Sequence, residues 1–283
     1  VSSHNYDVTV AYRVYPKVSR IPAVFADDKL KLAELCLRSF RESIGSLRVK
    51  LLVLLDGCPP GYEALFRKYF APGDLELIPL DGVGNRMTFA LQVKLLLQQN
   101  YSELIYFSED DYFYFPDQFP SMIRMMQTQS DVGFATPYDH LDYYNRALHR
   151  YPTRKITFDG REWRTVASTC LTFLTSKSVL RETQRVFESY GRTPGNTDGG
   201  LWFSLTKFKI RNPLKLLGAG AEQSLLLSVA AMAWYFCWRQ VLFGTKWNLW
   251  APVPTIATHL DRRYLPPGFD WPAILAEAAT SIR

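Results

Sequence analysis

A chain of 283 residues is long enough for one large domain or two small ones, and for a sizeable core. Its 47% hydrophobic and 21% charged residues exclude disorder, and a net charge of +6 with no continuous basic run and no recognisable module argues against a nucleic-acid partner. The same mildly basic balance suits a phosphorylated substrate or an anionic membrane surface.

The first half alternates strands with helices. Residues 8–12 read as a buried strand, and 27–43 as a helix with apolar residues at Leu30, Leu32, Leu35, Leu37 and Phe40. Residues 49–55 form a second, almost continuously apolar strand ended by Asp56-Gly57. A short helix (61–70), a strand (75–79) and a long helix (84–100) follow. The fourth strand, 104–108, runs directly into Glu109-Asp110-Asp111. A helix over 119–127 and a fifth strand over 132–135 close the alternation. This order predicts an α/β fold with a mostly parallel sheet, flanking helices and right-handed crossovers. In such sheets ligands bind beyond the carboxyl ends of the strands, where Arg13, Asp56, Asp81 and the acidic triplet all fall.

The second half is less regular and predicts a smaller antiparallel element. Residues 155–159 and 163–167 flank Gly160-Arg161 like a hairpin, 169–174 read as a short strand, and 178–190 as a helix. After a loop over 192–197, Asp198 can cap a helix running to Leu205. Residues 224–238 are almost unbroken apolar sequence between Glu222 and Arg239. That is shorter than the ~20 residues of a spanning helix, so it reads first as a core helix, then as an interfacial one. The four cysteines, Cys36, Cys58, Cys170 and Cys237, have no metal-ligand spacing and read as free thiols in a reducing compartment. With no signal peptide visible, the expected location is the cytoplasm, with peripheral contact at the inner face of a membrane.

The triplet carries the chemistry. Three adjacent carboxylates at the tip of a buried strand repel one another, and a divalent cation removes that cost. Oxygen ligands suit Mg²⁺ or Mn²⁺, which commonly take their remaining ligands from water and substrate phosphates.

The segment Ser108-Glu109-Asp110-Asp111-Tyr112-Phe113-Tyr114-Phe115-Pro116-Asp117-Gln118-Phe119 resembles the acidic motif of GT-A fold glycosyltransferases. The nearest likeness is to inverting enzymes similar to N-acetylglucosaminyltransferase I, and it fades after about residue 140. The resemblance implies a single domain over 1–283, with a nucleotide-sugar-binding half (1–140) and an acceptor-binding half (141–283). It implies that Arg13 and Asp56 contact the nucleotide base and that Asp111 is the direct ligand of Mn²⁺ or Mg²⁺. Glu109 and Asp110 would hold the ribose, the donor sugar or metal-bound waters, while the metal neutralises the departing diphosphate.

Asp81-Gly82-Val83-Gly84-Asn85-Arg86 opens the long helix, whose N-terminal N–H groups favour anions, and makes Asn85 and Arg86 candidate donor contacts. An inverting transferase needs a general base near the acceptor hydroxyl. Asp198 is the best match, as the Asp that opens a helix beyond the motif, with Asp159 and Glu162 in reserve. Some enzymes of this group add a late His to the metal, a place His259 can take. Trp202, Trp247, Trp250 and Trp271 read as packing residues that can also stack on an acceptor sugar.

The expected activity is transfer of a sugar from a nucleotide diphosphate sugar, of the UDP class, to a saccharide or glycan hydroxyl with inversion, in polysaccharide synthesis. Three rivals stand beside it. A retaining transferase and an inactive glycan-binding or assembly subunit would both make Asp198 dispensable. A nucleotidyltransferase that makes nucleotide sugars would carry a Gly-rich loop after the first strand, where this chain reads Ala11-Tyr12-Arg13-Val14-Tyr15-Pro16.

Overall fold

The computed structural model describes residues 5–18, 21–146, 149, 152–192, 194–211 and 222–282. Strand β1 (Val8–Val14) is buried along its whole length. It pairs in parallel with β2 (Val49–Asp56) on one side and with β4 (Leu104–Glu109) on the other, while β3 (Leu75–Leu80) lies parallel outside β2. Side chains along β1 alternate between two cores, as a period of two requires. Val10 and Tyr12 pack with Phe40, Phe66 and Phe119 from helices α1 (Lys29–Ser43), α2 (Gly61–Tyr69) and α4 (Phe119–Thr128). Ala11 faces the opposite layer, where Phe89 of α3 (Asn85–Gln98) meets Phe107, Phe173 and Phe187. Truncating a fully buried ring such as Phe40 to Ala would cost about 3–5 kcal/mol. Leu30, read as part of the apolar stripe of α1, is instead 41% exposed at the start of the helix.

The expected α/β sheet flanked by helices is present, but its fifth member is not where the alternation puts it. The short strand β6 (Phe134–Ala135) does not join β4. Strand β9 (Phe173–Ser176) enters between them, antiparallel to both. Among the described residues the sheet has nine strands in the order β3-β2-β1-β4-β9-β6-β10-β8-β7. Strand β10 (Leu249–Val253), unforeseen because of its Pro252, lies parallel to β6, and the expected hairpin of β7 (Lys155–Phe158) and β8 (Arg161–Val166) forms the edge. Strand β9 starts four residues later than its sequence suggests, which leaves 169–172 as a polar loop beside β4.

The second half adds α5 (Asp142–Asn145), α6 (Lys177–Glu188), α7 (Asp198–Thr206), α8 (Gln223–Leu242) and α9 (Trp271–Thr280). Helix α9, capped by Asp270, and β5 (Tyr112–Tyr114) are absent from the sequence reading, and the strand that the sequence predicts over 255–257, just before His259, forms two residues later as β11 (Ala257–His259), antiparallel to β5. Helix α8 is longer than the 224–238 stretch suggests, because Arg239 continues the helix rather than ending it. Among the described residues it is the helix long and apolar enough to cross a membrane, and a third of that window is buried. Its inner stripe (Leu226, Val229, Ala230, Ala233) packs with Phe203 of α7, and its helical geometry breaks at Cys237.

Candidate active site

Because β1, β2 and β4 run parallel, their carboxyl ends open on one side of the sheet, onto a cleft of about 590 Å³. Arg13, Asp56, Asn85, Glu109, Asp110 and Asp111 all line it. The buried amide of Gln92 on α3 donates to the carbonyls of Ala11 (2.7 Å) and Ser108 (3.1 Å), which locks the tips of β1 and β4 together.

Asp56 shapes the floor of the cleft. Its two carboxylate oxygens accept the backbone N–H groups of Val83 (2.6 Å) and Gly84 (2.8 Å). The loop can turn this way because Gly82 and Gly84 have φ of +72° and +86°, a region favouring glycine. Gly84 also precedes α3, whose first turn has no side-chain cap, so its N–H groups are open to an anion. Asn85 faces the cleft beside Arg13, which donates to both the carbonyl (3.1 Å) and the side-chain oxygen of Asn85. Arg86 does not line the cleft. Its guanidinium stacks on the Tyr190 ring and donates to the carbonyl of Tyr190 at 2.6 Å, tying α3 to the segment before α7.

Each carboxylate of the triplet has a cationic partner from the chain itself. Glu109 meets Arg13 at 2.5 Å and accepts from Thr172 at 3.0 Å. Asp110 meets Lys29 Nζ at 2.9 Å and accepts the backbone N–H of Tyr15 at 3.1 Å. Asp111 meets His259 Nε2 at 2.9 Å. The mutual repulsion of the three carboxylates, which the sequence reading has a divalent cation relieve, is already offset within the chain by Arg13, Lys29 and His259.

The proton affinities follow. Burial pulls the Lys29 ammonium down, but Asp110 and Asp111 together lift it above its ordinary value. Burial raises the Asp110 carboxyl despite Lys29 beside it. Burial would also raise Asp111, yet the His259 imidazolium holds it well below the carboxylate range. His259 in turn is desolvated but lifted by Asp111 to about 9.

His259 reaches the triplet through the small sheet. Strand β11 pairs with β5 so that His259 stands opposite Tyr112, and the N–H of Leu260 donates to the carbonyl of Asp111 at 2.9 Å. Asp111 keeps one oxygen, Oδ1, buried without a hydrogen-bond partner. A buried carboxylate oxygen with an open lone pair fits a divalent cation, and His259 joins it as a ligand only by giving up the proton it shares with Asp111. Among the described residues no three His, Cys, Asp or Glu side chains converge on one metal position. Asp111 and His259 would thus supply the protein's share, with water and phosphate oxygens completing the shell.

Asp198 opens α7, and the cap itself is Thr197, whose hydroxyl accepts the N–H of Gly200 at 3.0 Å. The capping role that sequence gives Asp198 is therefore taken by its neighbour, and Asp198 itself is not among the residues that line the cleft. Burial, and next the charge of Glu109, push its pKa up to about 6, with Arg13 and a Tyr190 hydrogen bond opposing them. The reserve candidates lie elsewhere: on the edge hairpin, Asp159 pairs with Arg124 and Glu162 with Lys155. Trp202, Trp250 and Trp271 are buried, and Trp247 packs against Phe134, so none of the four is presented for stacking on a sugar.

Three residues of the site escape sequence reading: Lys29, Thr172 and Tyr190. Lys29 left a signal, since a cation in the first turn of a helix opposes the helix dipole and needs an anion from elsewhere.

The fold and site together define an α/β protein with an anion-receptive, acidic cleft at the carboxyl ends of its parallel strands. No family model matches the chain, and no curated protein matches it. Solved structures do align. The galactosyltransferase LgtC, in complex with donor and acceptor sugar analogs, aligns over 97% of this chain and 96% of its own, at 11% identity and a TM-score of 0.46. S. aureus TarS in complex with UDP-GlcNAc aligns over 80% of this chain and 71% of its own, at 9% identity and a TM-score of 0.44. A cytidylyltransferase from Leptospira borgpetersenii aligns over 63% of this chain, which spans 64% of that enzyme, at 13% identity and a TM-score of 0.34.

Proposed function

We propose that the chain is a glycosyltransferase of the GT-A type that moves a sugar from a nucleotide diphosphate sugar, of the UDP class, to a saccharide hydroxyl with inversion. One observation carries this reading: Asp111, with an unpartnered buried oxygen and His259 bonded to the other, borders the same cleft as the open N-terminus of α3, and Asp198 is coupled electrostatically to Glu109 of that cleft.

The nucleotide lies over the 82–84 loop that Asp56 holds, so Asp56 acts through the loop's shape and Arg13 closes the far wall. The diphosphate faces the N–H groups of α3 and the guanidinium of Arg13. Asp111 and His259 hold Mn²⁺ or Mg²⁺. When bound, the ion supplies Lewis-acid stabilisation of charge on the departing diphosphate. Glu109, fixed by Arg13 and Thr172, orients the donor from one side. Asp198 accepts the proton of the acceptor hydroxyl as that oxygen attacks the anomeric carbon. A carboxylate with a pKa of about 6 is ionised at neutral pH yet basic enough to share the proton in the transition state. In this reading residues 1–140 bind the donor and 141–283 the acceptor.

A panel of nucleotide sugars, each with Mn²⁺ and saccharide acceptors, tests the assignment, with the anomeric configuration of the product read by NMR. A product of inverted configuration is expected. A retained configuration with unchanged turnover in Asp198→Ala would overturn the role of Asp198. Nucleotide binding without turnover of any donor would favour an inactive binding subunit.

A further inference from the structure

Among the described residues the outer face of α8 takes no part in the cleft, and one hydrogen bond, from Trp234 Nε1 to the carbonyl of Ile210 at 3.0 Å, ties it to the segment after α7. Leu227, Ala231, Trp234, Trp238 and Leu242 recur at three- and four-residue intervals, which sets them on one stripe with Tyr235 beside them. All are exposed, Tyr235 to 74%, and Phe243 just past the helix to 80%. No Asp or Glu occurs between Gln223 and Leu242, and Arg239 is the only charge there. Trp and Tyr are amphipathic side chains suited to a boundary between apolar chains and water.

The surroundings are basic. Beside Trp238, a cavity of about 380 Å³ is lined by Arg185, Arg192 and Arg239, with one carboxylate, Glu188, on its wall. Among the described residues none of these three guanidinium groups forms an ion pair. At the other flank Lys207 and Arg211 both donate to the carbonyl of Val241 at the end of α8, each at 2.9 Å. A second copy of the chain would bring the same positive collar against itself, so self-association through this face is opposed by like charge. An anionic surface complements both the collar and the aromatic stripe.

We propose that this face of α8 docks on an anionic lipid bilayer, with Trp234, Tyr235, Trp238 and Phe243 in the headgroup boundary and Arg185, Arg192 and Arg239 on lipid phosphates. The energetic logic is that of an interfacial helix: apolar area gives depth, and each basic residue near the surface adds about 1 kcal/mol, or roughly fivefold in partitioning. The inner stripe of α8 packs directly on α7. A side-chain carbon added at Gly199 would meet Val229 at 3.2 Å, and one at Gly200 would meet Met232 at 3.2 Å. The helix that bears Asp198 is thus seated on the docked helix, which presents the acceptor side of the cleft to saccharides at the membrane.

Cosedimentation of the full chain with phosphatidylcholine vesicles, with and without phosphatidylglycerol, tests the proposal without any donor or turnover. Binding is expected only with phosphatidylglycerol and should fall as salt rises. Quenching of Trp234 and Trp238 fluorescence by brominated acyl chains is expected in the same samples. The pair Arg185→Ala/Arg239→Ala should weaken binding about thirtyfold, at roughly fivefold per residue. The pair Trp238→Ser/Phe243→Ser should weaken it by roughly tenfold or more through lost apolar burial. Since all four side chains are exposed, both variants should keep the wild-type melting temperature. No vesicle binding, equal binding to both vesicle types, or binding unchanged in both variants would overturn the proposal. So would a concentration-dependent dimer that Trp238→Ser/Phe243→Ser abolishes.

Discussion

Lys29 is the residue through which the electrostatics of the triplet are most open to test. Its ammonium and the carboxylate of Asp110 are 9% and 10% exposed and 2.9 Å apart. Lys29→Met keeps the length and apolar stem but strands a buried carboxylate, a change that costs about 3–5 kcal/mol. At roughly 2–4 °C per kcal/mol for chains somewhat smaller than this one, the melting temperature should drop by roughly 6–20 °C. The loss should depend on pH. Burial already raises Asp110, and without Lys29 it rises further, so the protonated carboxyl needs no partner. A group whose folded pKa is raised stabilises below its unfolded value and loses that contribution as pH rises. The deficit of Lys29→Met relative to wild type should therefore shrink as pH falls from neutral towards the carboxylate range. Mn²⁺ should restore more stability to the variant than to wild type, because the site has lost a competing cation. A ligand at a hundred times its Kd contributes about 2.7 kcal/mol. Thermal unfolding monitored by circular dichroism, with and without Mn²⁺, measures all of this. A loss under about 1 kcal/mol, or an equal Mn²⁺ increment in both proteins, would refute the view that Lys29 neutralises the triplet.

Other consequences follow from the same geometry. Asp198→Asn should lower kcat by about 10²–10⁴-fold with little change in the donor's KM. The wild-type rate should climb with pH through about 6, because only the ionised Asp198 accepts a proton, and a profile flat across that range would count against it. Gly84→Ala meets no neighbouring atom, so its cost is purely that of backbone at φ +86°. About 1–3 kcal/mol is expected in thermal unfolding, together with weaker nucleotide binding by calorimetry. Neutral stability in Gly84→Ala would contradict the strained loop.

Much of the cleft is legible in sequence because its parts sit at strand ends. Arg13, Asp56 and Glu109 each close a run of apolar residues, and parallel strands bring such ends together whatever the intervening helices contain. His259 is different: a lone late His has no local signal, and only the pairing of β11 with β5 carries it to Asp111. Both strands are three residues long, below the length at which alternation can be read, and Tyr112–Tyr114 is buried on both faces. Strand β9 was misplaced for a related reason. Thr169, Thr172, Phe173 and Leu174 are all buried, and only the register with β4 decides which residues join the sheet. Asp198 was legible as a helix-opening acid, whereas the assignment of the cap to Thr197 needed coordinates. Arg86 shows the converse: at the start of α3 it looks like an anion contact, but the carbonyls of Tyr190 and Asn196 take its guanidinium.

The central claim is that Asp111 and His259 hold a divalent ion at a nucleotide-sugar site. Its most direct test is release of the nucleoside diphosphate from a panel of UDP-sugars by wild type and Asp111→Asn, in Mn²⁺ and in excess chelator. Wild type should turn over in Mn²⁺, stop in chelator and recover on Mn²⁺ addition, while Asp111→Asn stays inactive throughout. Full wild-type turnover in excess chelator, or wild-type rates in Asp111→Asn, would contradict it.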